Sequence, residues 1–275
     1  MPKSILKLRS HPIERYGEIV SQHFEHVSLL DTLRETRVLK GFSRLYARNR
    51  SLEDYRALLW RSAPREPGKR WLPATMVYGE GIFLRFRTDA LRHWEEEHLA
   101  VHSARLDTVE RNMRALALRR GVDPESSHPR RAMIHTFAHL LINQLIFDSG
   151  YGSSSLRERL YFREPSDGDA GMAGVLVYTA AGDSEGSMGG LVRLGEPGKL
   201  EGAVRRALEH AMWCSSDPVC IESPGQGPDN CNLAACHSCG LLPETSCENQ
   251  NRLLDRGTVV GTLERPESGY FSGAC

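Results

Sequence analysis

The spacing of hydrophobic positions predicts two long helices in the middle of the chain. One apolar stripe fits a single face of a helix that begins at Thr88 or Asp89 and runs to about Arg120, with Gly121 after its end. Its members are Leu106, Val109, Met113 and Leu116. A second helix, 131–147, is hydrophobic nearly all round, which predicts that it lies at the centre of the domain.

The first part of the chain has weaker patterns. Leu29, Leu30 and Leu33 form a partial helical face in a charge-rich segment, and the Pro- and Gly-rich run 63–70 is typical of a turn or linker. Between Trp71 and Phe86, two β-type runs flank Gly79-Glu80-Gly81, which favours a hairpin with its turn at these three residues.

After residue 150 the elements are shorter. Ser155 and Glu158 match the S-x-x-E capping box that opens helices. Residues 174–180 predict a buried strand, and residues 201–213 predict an amphipathic helix that leads to Cys214. We expect helical continuation near 251–256 and a short closing strand at 257–261.

These elements predict an α+β (or α/β) fold, with mixed helices around a small sheet and a C-terminal four-cysteine knot. We divide the chain into a helical N-terminal segment (1–70), a β-hairpin plus long helix (71–125) and a C-terminal domain (126–275).

Composition narrows the possible environments and partners. The 35 basic and 35 acidic residues give no net charge, which argues against a free-standing polyanion binder. The first residues contain no apolar run typical of a signal peptide, and no stretch approaches the 18 consecutive apolar residues of a membrane span. We therefore expect a cytoplasmic protein that does not insert into membranes.

Cysteines carry the strongest chemical signal. Six of the seven lie between Cys214 and Cys247, and clustered thiols in a reducing compartment favour zinc over disulfides. The spacing C-x4-C-x2-C-x7-C predicts a closed, structural Zn²⁺ site. Its predicted ligands are Cys231, Cys236, Cys239 and Cys247. Spacing does not decide the fourth ligand, because Cys214 and Cys220 are rivals for the place of Cys231.

A second possible metal site starts from His135 and His139, which stand at i and i+4 on the apolar helix. The general-base Glu of H-E-x-x-H is absent, since Thr136 occupies its place, so two core histidines are the simpler interpretation. Asp183 and Glu185 lie in a glycine-rich loop after a predicted strand and can bind a cation. These four residues define the alternative hypothesis of a metal-dependent nuclease or hydrolase.

Several long strings in the second half resemble one family, among them HTFAHLLINQLIFDSGYGSSSLRERLYF, WCSSDPVCIES and NLAACHSCGLLPETSCENQNRLLDR. They resemble the zinc-binding domain of mitomycin-repair-type superfamily 2 helicases, and are close to the helicase-partner subunit of the DISARM anti-phage defence system. The resemblance is dense over 130–262 and aligns Cys236, Cys239 and Cys247 with the family's zinc cluster.

The resemblance implies a non-catalytic, zinc-binding accessory subunit that partners a DNA helicase in anti-phage defence or DNA repair. No G-x-x-x-x-G-K-[ST] phosphate loop occurs, so the chain has no helicase motor of that kind. DNA contact is expected mainly through the complex. A local basic set can contribute to it, although ordinary solvated helix surface is the slightly favoured interpretation of these arginines. The set is Arg111, Arg114, Arg119, Arg120, Arg130 and Arg131.

Overall fold

A computed structural model of the chain describes residues 6–39, 72–166, 168–179 and 189–274. Five strands form one antiparallel sheet with the order β1-β2-β3-β5-β4. They are β1 (Leu6–Ser10), β2 (Phe24–Val38), β3 (Ala74–Phe86), β4 (Leu156–Arg163) and β5 (Met172–Thr179).

Six α-helices accompany the sheet in the described residues. They are α1 (Glu18–Ser21), α2 (Thr88–Arg120), α3 (Pro129–Ser149), α4 (Gly190–Leu194), α5 (Leu200–Ala211) and α6 (Gly257–Val260). Short 3₁₀ turns are at Ile13–Arg15, Pro228–Asn230, Pro266–Ser268 and Ser272–Ala274. The predicted α+β class, with mixed helices around a small sheet, is confirmed.

Helix α3 forms the centre of the molecule, as its apolar sequence predicts. It packs between the sheet and α5. Its residues from Ala132 to Ile142 are all buried, and Arg131 just before them is partly exposed. Phe137 contacts Phe24 and Phe86 of the sheet, and stacks on Phe271 from the end of the chain. The core therefore joins the first strands, the central helix and the C-terminal turns.

Helix α2 ends where the sequence predicts, and α3 extends two residues beyond its predicted range of 131–147 at each end. Gly121 follows α2 with φ 63°, a left-handed conformation that glycine adopts without strain, and its N–H caps the last turn. His128 begins α3 by accepting a hydrogen bond from the N–H of Arg130 through its side chain. The buried strand and the amphipathic helix predicted after residue 170 are also confirmed, as β5 and α5.

Where the structure describes the predicted helical N-terminal segment, most of its residues lie in the strands β1 and β2, and α1 is its one short α-helix. Leu29, Leu30 and Leu33 lie on β2, opposite β3. Between Leu30 and Leu33 the register shifts, because β2 has an extra residue there. That bulge interrupts the alternation of side chains between the two faces of the strand. Leu29 and Leu33 stand four residues apart across it, a spacing that is also found on one face of a helix.

The predicted hairpin at Gly79-Glu80-Gly81 is also corrected, since these residues lie inside the continuous strand β3. A Cβ at Gly81 would stand 3.0 Å from the Val177 carbonyl oxygen and 3.0 Å from Cβ of Tyr178. The glycine therefore permits close approach of β5 rather than a turn. Buried Glu80 accepts hydrogen bonds from Tyr151 and from the N–H of Leu191.

Three further local expectations are wrong. Ser155 and Glu158 do not begin a helix, because residues from Leu156 onward form β4. Residues 251–256 are not helical, and two of them, Asn251 and Leu253, have positive φ. The predicted closing strand is α6, whose first N–H groups at Gly257 and Thr258 are hydrogen-bonded by Asp255.

One sheet takes strands from all three predicted segments, 1–70, 71–125 and 126–275, and their boundaries remain a prediction. None of the helices in the described ranges combines the length and the apolar character needed to cross a membrane.

Candidate metal centres

Residues 212–256 contain the clustered cysteines and mostly lack regular secondary structure. Side chains therefore supply the hydrogen bonds to the backbone that helices and strands would otherwise provide. Buried Asn251 bridges both backbone groups of Leu242, at 2.9 and 2.7 Å. Buried Asn232 donates to the carbonyl of Asn251 at 2.7 Å and accepts from the N–H of Leu254 at 2.9 Å. These contacts fix the loops that present the thiols.

Four of the thiols converge on one point, which we call the edge cluster. It consists of Cys214, Cys220, Cys236 and Cys239. Their four Sγ atoms lie within 4.8 Å of one another, with separations of 3.5 Å for Cys214–Cys236 and 3.7 Å for both Cys220–Cys239 and Cys236–Cys239. Four sulfurs at about 2.3 Å from a central zinc stand about 3.8 Å apart, so the cluster fits a tetrahedral Zn²⁺.

The electrostatics of the edge cluster also fit a cation. The hydrogen bond between Cys239 and Cys220 lowers the pKa of Cys220 to about 5 and, together with burial, raises the pKa of Cys239. Backbone N–H groups of Ser216 and Cys236 point at Sγ of Cys214 and of Cys239, at 3.4 and 3.3 Å. Such donors stabilise thiolate, the form that binds metal.

Arg256 places a positive charge beside this cluster. Its buried guanidinium donates to the carbonyl of Ala211 at 2.8 Å and pairs with Asp217. Asp217 in turn accepts hydrogen bonds from the N–H groups of Cys214 and Ile221, at 2.9 and 3.1 Å. Because four thiolates around Zn²⁺ leave an excess of two negative charges, this arginine offsets part of that charge.

A second group of possible ligands lies deeper, and we call it the core cluster. It consists of His135, His139, Glu158 and Cys247, all buried, with ligand atoms within 4.8 Å of one another. Nε2 of His135 lies 3.0 Å from Oε1 of Glu158 and 3.2 Å from Sγ of Cys247. Nε2 of His139 lies 3.5 Å from the same oxygen of Glu158.

The core cluster perturbs the ionisation of its members. Burial lowers the pKa of His135 and raises the pKa of the Cys247 thiol. Burial also raises the pKa of Glu158, but the adjacent imidazoles of His135 and His139 outweigh it and hold that pKa below the usual value. Glu158 is therefore a carboxylate in this environment.

The structure does not bring the predicted quartet together. Cys236 and Cys239 join Cys214 and Cys220, the two rivals that spacing left open, whereas Cys247 belongs to the core cluster. Cys231 belongs to neither cluster of the described residues, and its thiol instead lies 3.5 Å from the carbonyl of Asp229. Proximity in sequence favoured Cys231, but the fold instead brings the more distant Cys214, which follows α5, to Cys236 and Cys239.

The alternative site is also rearranged. His135 and His139 do share a face of α3, yet their neighbours are Glu158 and Cys247. Asp183 and Glu185 lie outside the described residues. Sequence reasoning did not include Glu158 among the candidate residues, although an available signal was its place on the apolar face of a strand, between Leu156 and Leu160.

The six candidate DNA-contacting arginines all face carboxylates. Arg111 and Arg114 pair with Asp107 and Glu110 one turn earlier on α2, and Arg119 and Arg120 lie near Asp229. Arg130, which is only 3% exposed, pairs with Glu95, and Arg131 pairs with Glu125. These contacts favour the interpretation of the set as ordinary helix surface and core ion pairs.

Comparison with known proteins shows what the segment around the edge cluster is similar to. Residues 137–240 match the family described as MrfA Zn-binding domain, and this segment contains all four cysteines of the edge cluster. His135 and Cys247 of the core cluster lie outside the matched residues. The chain is also 35% identical over 263 residues to the DISARM protein DrmB of Bacillus paralicheniformis.

The alignment with DrmB covers 95% of this chain but 45% of that protein, so the chain spans about half the length of this relative. The expected resemblance to the mitomycin-repair zinc-binding domain and to a DISARM subunit is thereby confirmed. Zn²⁺ is the cofactor, as predicted, and the family match together with the four-cysteine geometry support it. When bound, it stabilises the fold as a structural ion with four protein ligands.

Proposed function

We propose that this chain is a non-catalytic, zinc-stabilised accessory module of a DISARM-type defence system, and that it partners a superfamily 2 DNA helicase. The observation that carries the proposal is the closed edge cluster. Four thiolates fill the tetrahedron of Zn²⁺, whereas a catalytic zinc keeps one position open for water or substrate. The similarity to DrmB supports the defence context.

In this proposal the module works in the cytoplasm and meets DNA mainly through its complex with the helicase. The equal numbers of acidic and basic residues support this, because they leave no general attraction to phosphate. The carboxylate partners of the six arginines support it further. Each arginine that binds a phosphate would first have to give up its partner.

The alternative, a metal-dependent nuclease or hydrolase that uses His135, His139, Asp183 and Glu185, has less support. Both histidines are completely buried, and their Nε2 atoms face Glu158 and Cys247 inside the protein. A phosphodiester would have to enter the core to reach them. DNA hydrolysis also needs a coordination position that water or substrate can occupy.

The test is co-expression of the chain with the superfamily 2 helicase of the same defence locus, followed by size-exclusion chromatography with light scattering. We expect a stable complex, and no complex with an unrelated superfamily 2 helicase as control. DNA binding, measured by fluorescence anisotropy between 50 and 200 mM salt, is expected to be tight and steeply salt-dependent only for the complex.

Two results would overturn the proposal. One is a failure of the folded, zinc-loaded chain to bind the helicase. The other is DNA cleavage by the chain alone in Mg²⁺ or Mn²⁺ that disappears in Asp183→Ala or Glu185→Ala with unchanged folding, which would establish the enzyme hypothesis.

A further inference from the structure

We propose that the core cluster is a second structural Zn²⁺ site, held by His135, His139, Glu158 and Cys247. Its residues come from three parts of the fold: two from α3, one from β4 and one from the loop after the edge cluster. The inference concerns these side chains alone and does not depend on a helicase partner.

The orientation of the two imidazoles is the first argument. Nδ1 of His139 lies 2.7 Å from the carbonyl oxygen of Gly240, and Nδ1 of His135 lies 3.3 Å from that of Leu253. A carbonyl oxygen can only accept, so both Nδ1 atoms carry the hydrogen. In the neutral rings, both Nε2 atoms therefore direct lone pairs into the cluster. This is the arrangement that fixes zinc-binding histidines in other proteins.

The second argument is the lack of hydrogen-bond donors inside the cluster. Within the described part of the chain, Nε2 of His139 and both carboxylate oxygens of Glu158 have no hydrogen-bond partner with acceptable geometry. Yet all these atoms are completely buried, where an unsatisfied acceptor is costly. The single thiol proton of Cys247 cannot satisfy two imidazole lone pairs and a carboxylate. One divalent cation at the centre satisfies all of them.

Charge balance gives the third argument. Glu158 as carboxylate and Cys247 as thiolate together contribute two negative charges, and the two histidines are neutral ligands. With Zn²⁺ the whole site is neutral, which suits complete burial.

Distances agree with zinc. Nitrogen and oxygen ligands at about 2.0–2.2 Å and sulfur at about 2.3 Å stand roughly 3.3–3.6 Å apart around a tetrahedral ion. The observed separations of 3.0, 3.2 and 3.5 Å lie close to these edges. The backbone N–H of Asn251 also points at Sγ of Cys247, at 3.2 Å, which favours the thiolate. A mixed nitrogen, oxygen and sulfur set is typical of zinc.

The test begins with elemental analysis of the 275-residue chain, purified without an affinity tag and without added metal. We expect two zinc ions per chain. Glu158→Gln keeps the shape of the side chain but removes its charge, so we expect one zinc in this variant. Glu244→Gln, the same change at an exposed position near Cys247, is the matched control and is expected to keep two.

One zinc in the unmodified chain would overturn the proposal, as would two zinc ions in a folded Glu158→Gln variant. Iron in place of the second zinc would overturn the assignment of the metal. If Glu158→Gln does not fold, cadmium NMR of the unmodified chain decides. Two ¹¹³Cd resonances, one of an all-sulfur site and one of a site with a single sulfur, support the proposal, and a single all-sulfur resonance contradicts it.

Discussion

The edge cluster and the core cluster solve the same problem, four ligands around one point, in opposite environments. The edge cluster uses four sulfurs from one segment, Cys214–Cys239, and two of its cysteines are partly exposed. The core cluster is completely buried and joins residues that are more than a hundred positions apart, such as His135 and Cys247. In the proposed arrangement, the metal site with surplus negative charge lies near the surface, and the site that is neutral overall lies in the core.

The two clusters are also physically connected. Cys239 is followed directly by Gly240, whose carbonyl accepts the hydrogen bond from His139. A structural change at Cys239 of the edge cluster can therefore shift His139 of the core cluster through Gly240. The comparison teaches that the first site is assembled within one segment of the chain, whereas the packing of α3 against β4 organises the second.

The largest effect that separates the two clusters is expected on removing metal. A thiol-reactive mercurial should release the edge zinc first, because Cys236 and Cys239 are accessible, and the core zinc only as the fold opens. Each structural zinc contributes on the order of 10 kcal/mol to folding, so the metal-free chain should lose its tertiary structure. Zinc release followed with a colorimetric chelator should show two phases of equal size, while near-UV circular dichroism collapses in the second. A single phase would contradict the difference between the clusters.

His139→Ala is the next strongest test. It removes a ligand, leaves Glu158 with one histidine partner and deletes the hydrogen bond to Gly240. Loss of one partner from a buried charge group costs about 3–5 kcal/mol, which chemical denaturation can measure. Asn143→Ala, at an exposed position one turn later on the same helix, is the control and should stay within about 0.5 kcal/mol. Equal stability of the two variants would contradict the core site.

Arg256→Lys should affect the edge cluster alone. Lysine keeps the charge but cannot reproduce the paired contacts to Ala211 and Asp217, and we expect a loss of about 1–3 kcal/mol of stability. Competition with a chelator should show weaker binding of the zinc ion that is released first and unchanged affinity for the zinc ion that is released second. An equal loss of affinity for both zinc ions would show that Arg256 acts on the fold as a whole.

Cys231→Ser should have the smallest effect and decides the ligand set. Cys231 is buried but outside both clusters, so the variant should keep both zinc ions and lose roughly 1 kcal/mol for a buried hydroxyl. Cys220→Ser is the matched substitution inside the edge cluster and should lose a zinc. The reverse result, loss of zinc only from Cys231→Ser, would restore the quartet that sequence spacing favoured.

The parts of the fold that the sequence predicts well are those with strong local patterns. The stripe on α2, the apolar run of α3 and the amphipathic face of α5 each specify a helix over several turns. The clustering of the cysteines likewise predicts zinc correctly. Two of the four edge ligands, Cys236 and Cys239, follow from the C-x2-C spacing alone.

The errors arise where long-range contacts override local patterns. Gly81 resembles a turn residue but is required by the approach of β5, and the bulge in β2 imitates helical spacing. Glu158 matches a capping box, yet the histidines of α3 determine its environment. No local pattern predicts which of Cys214, Cys220 and Cys231 lie beside the C-x2-C turn. Their placement depends on loops that are held by the hydrogen bonds of buried asparagines.

The central claim, that this chain has two closed zinc sites, is tested most directly by anomalous X-ray diffraction at the zinc absorption edge. We predict two peaks in the anomalous difference map. One should lie among the sulfurs of Cys214, Cys220, Cys236 and Cys239, and the other among His135, His139, Glu158 and Cys247. A single peak at the edge cluster would contradict the core site, and a peak beside Cys231 would contradict both assignments.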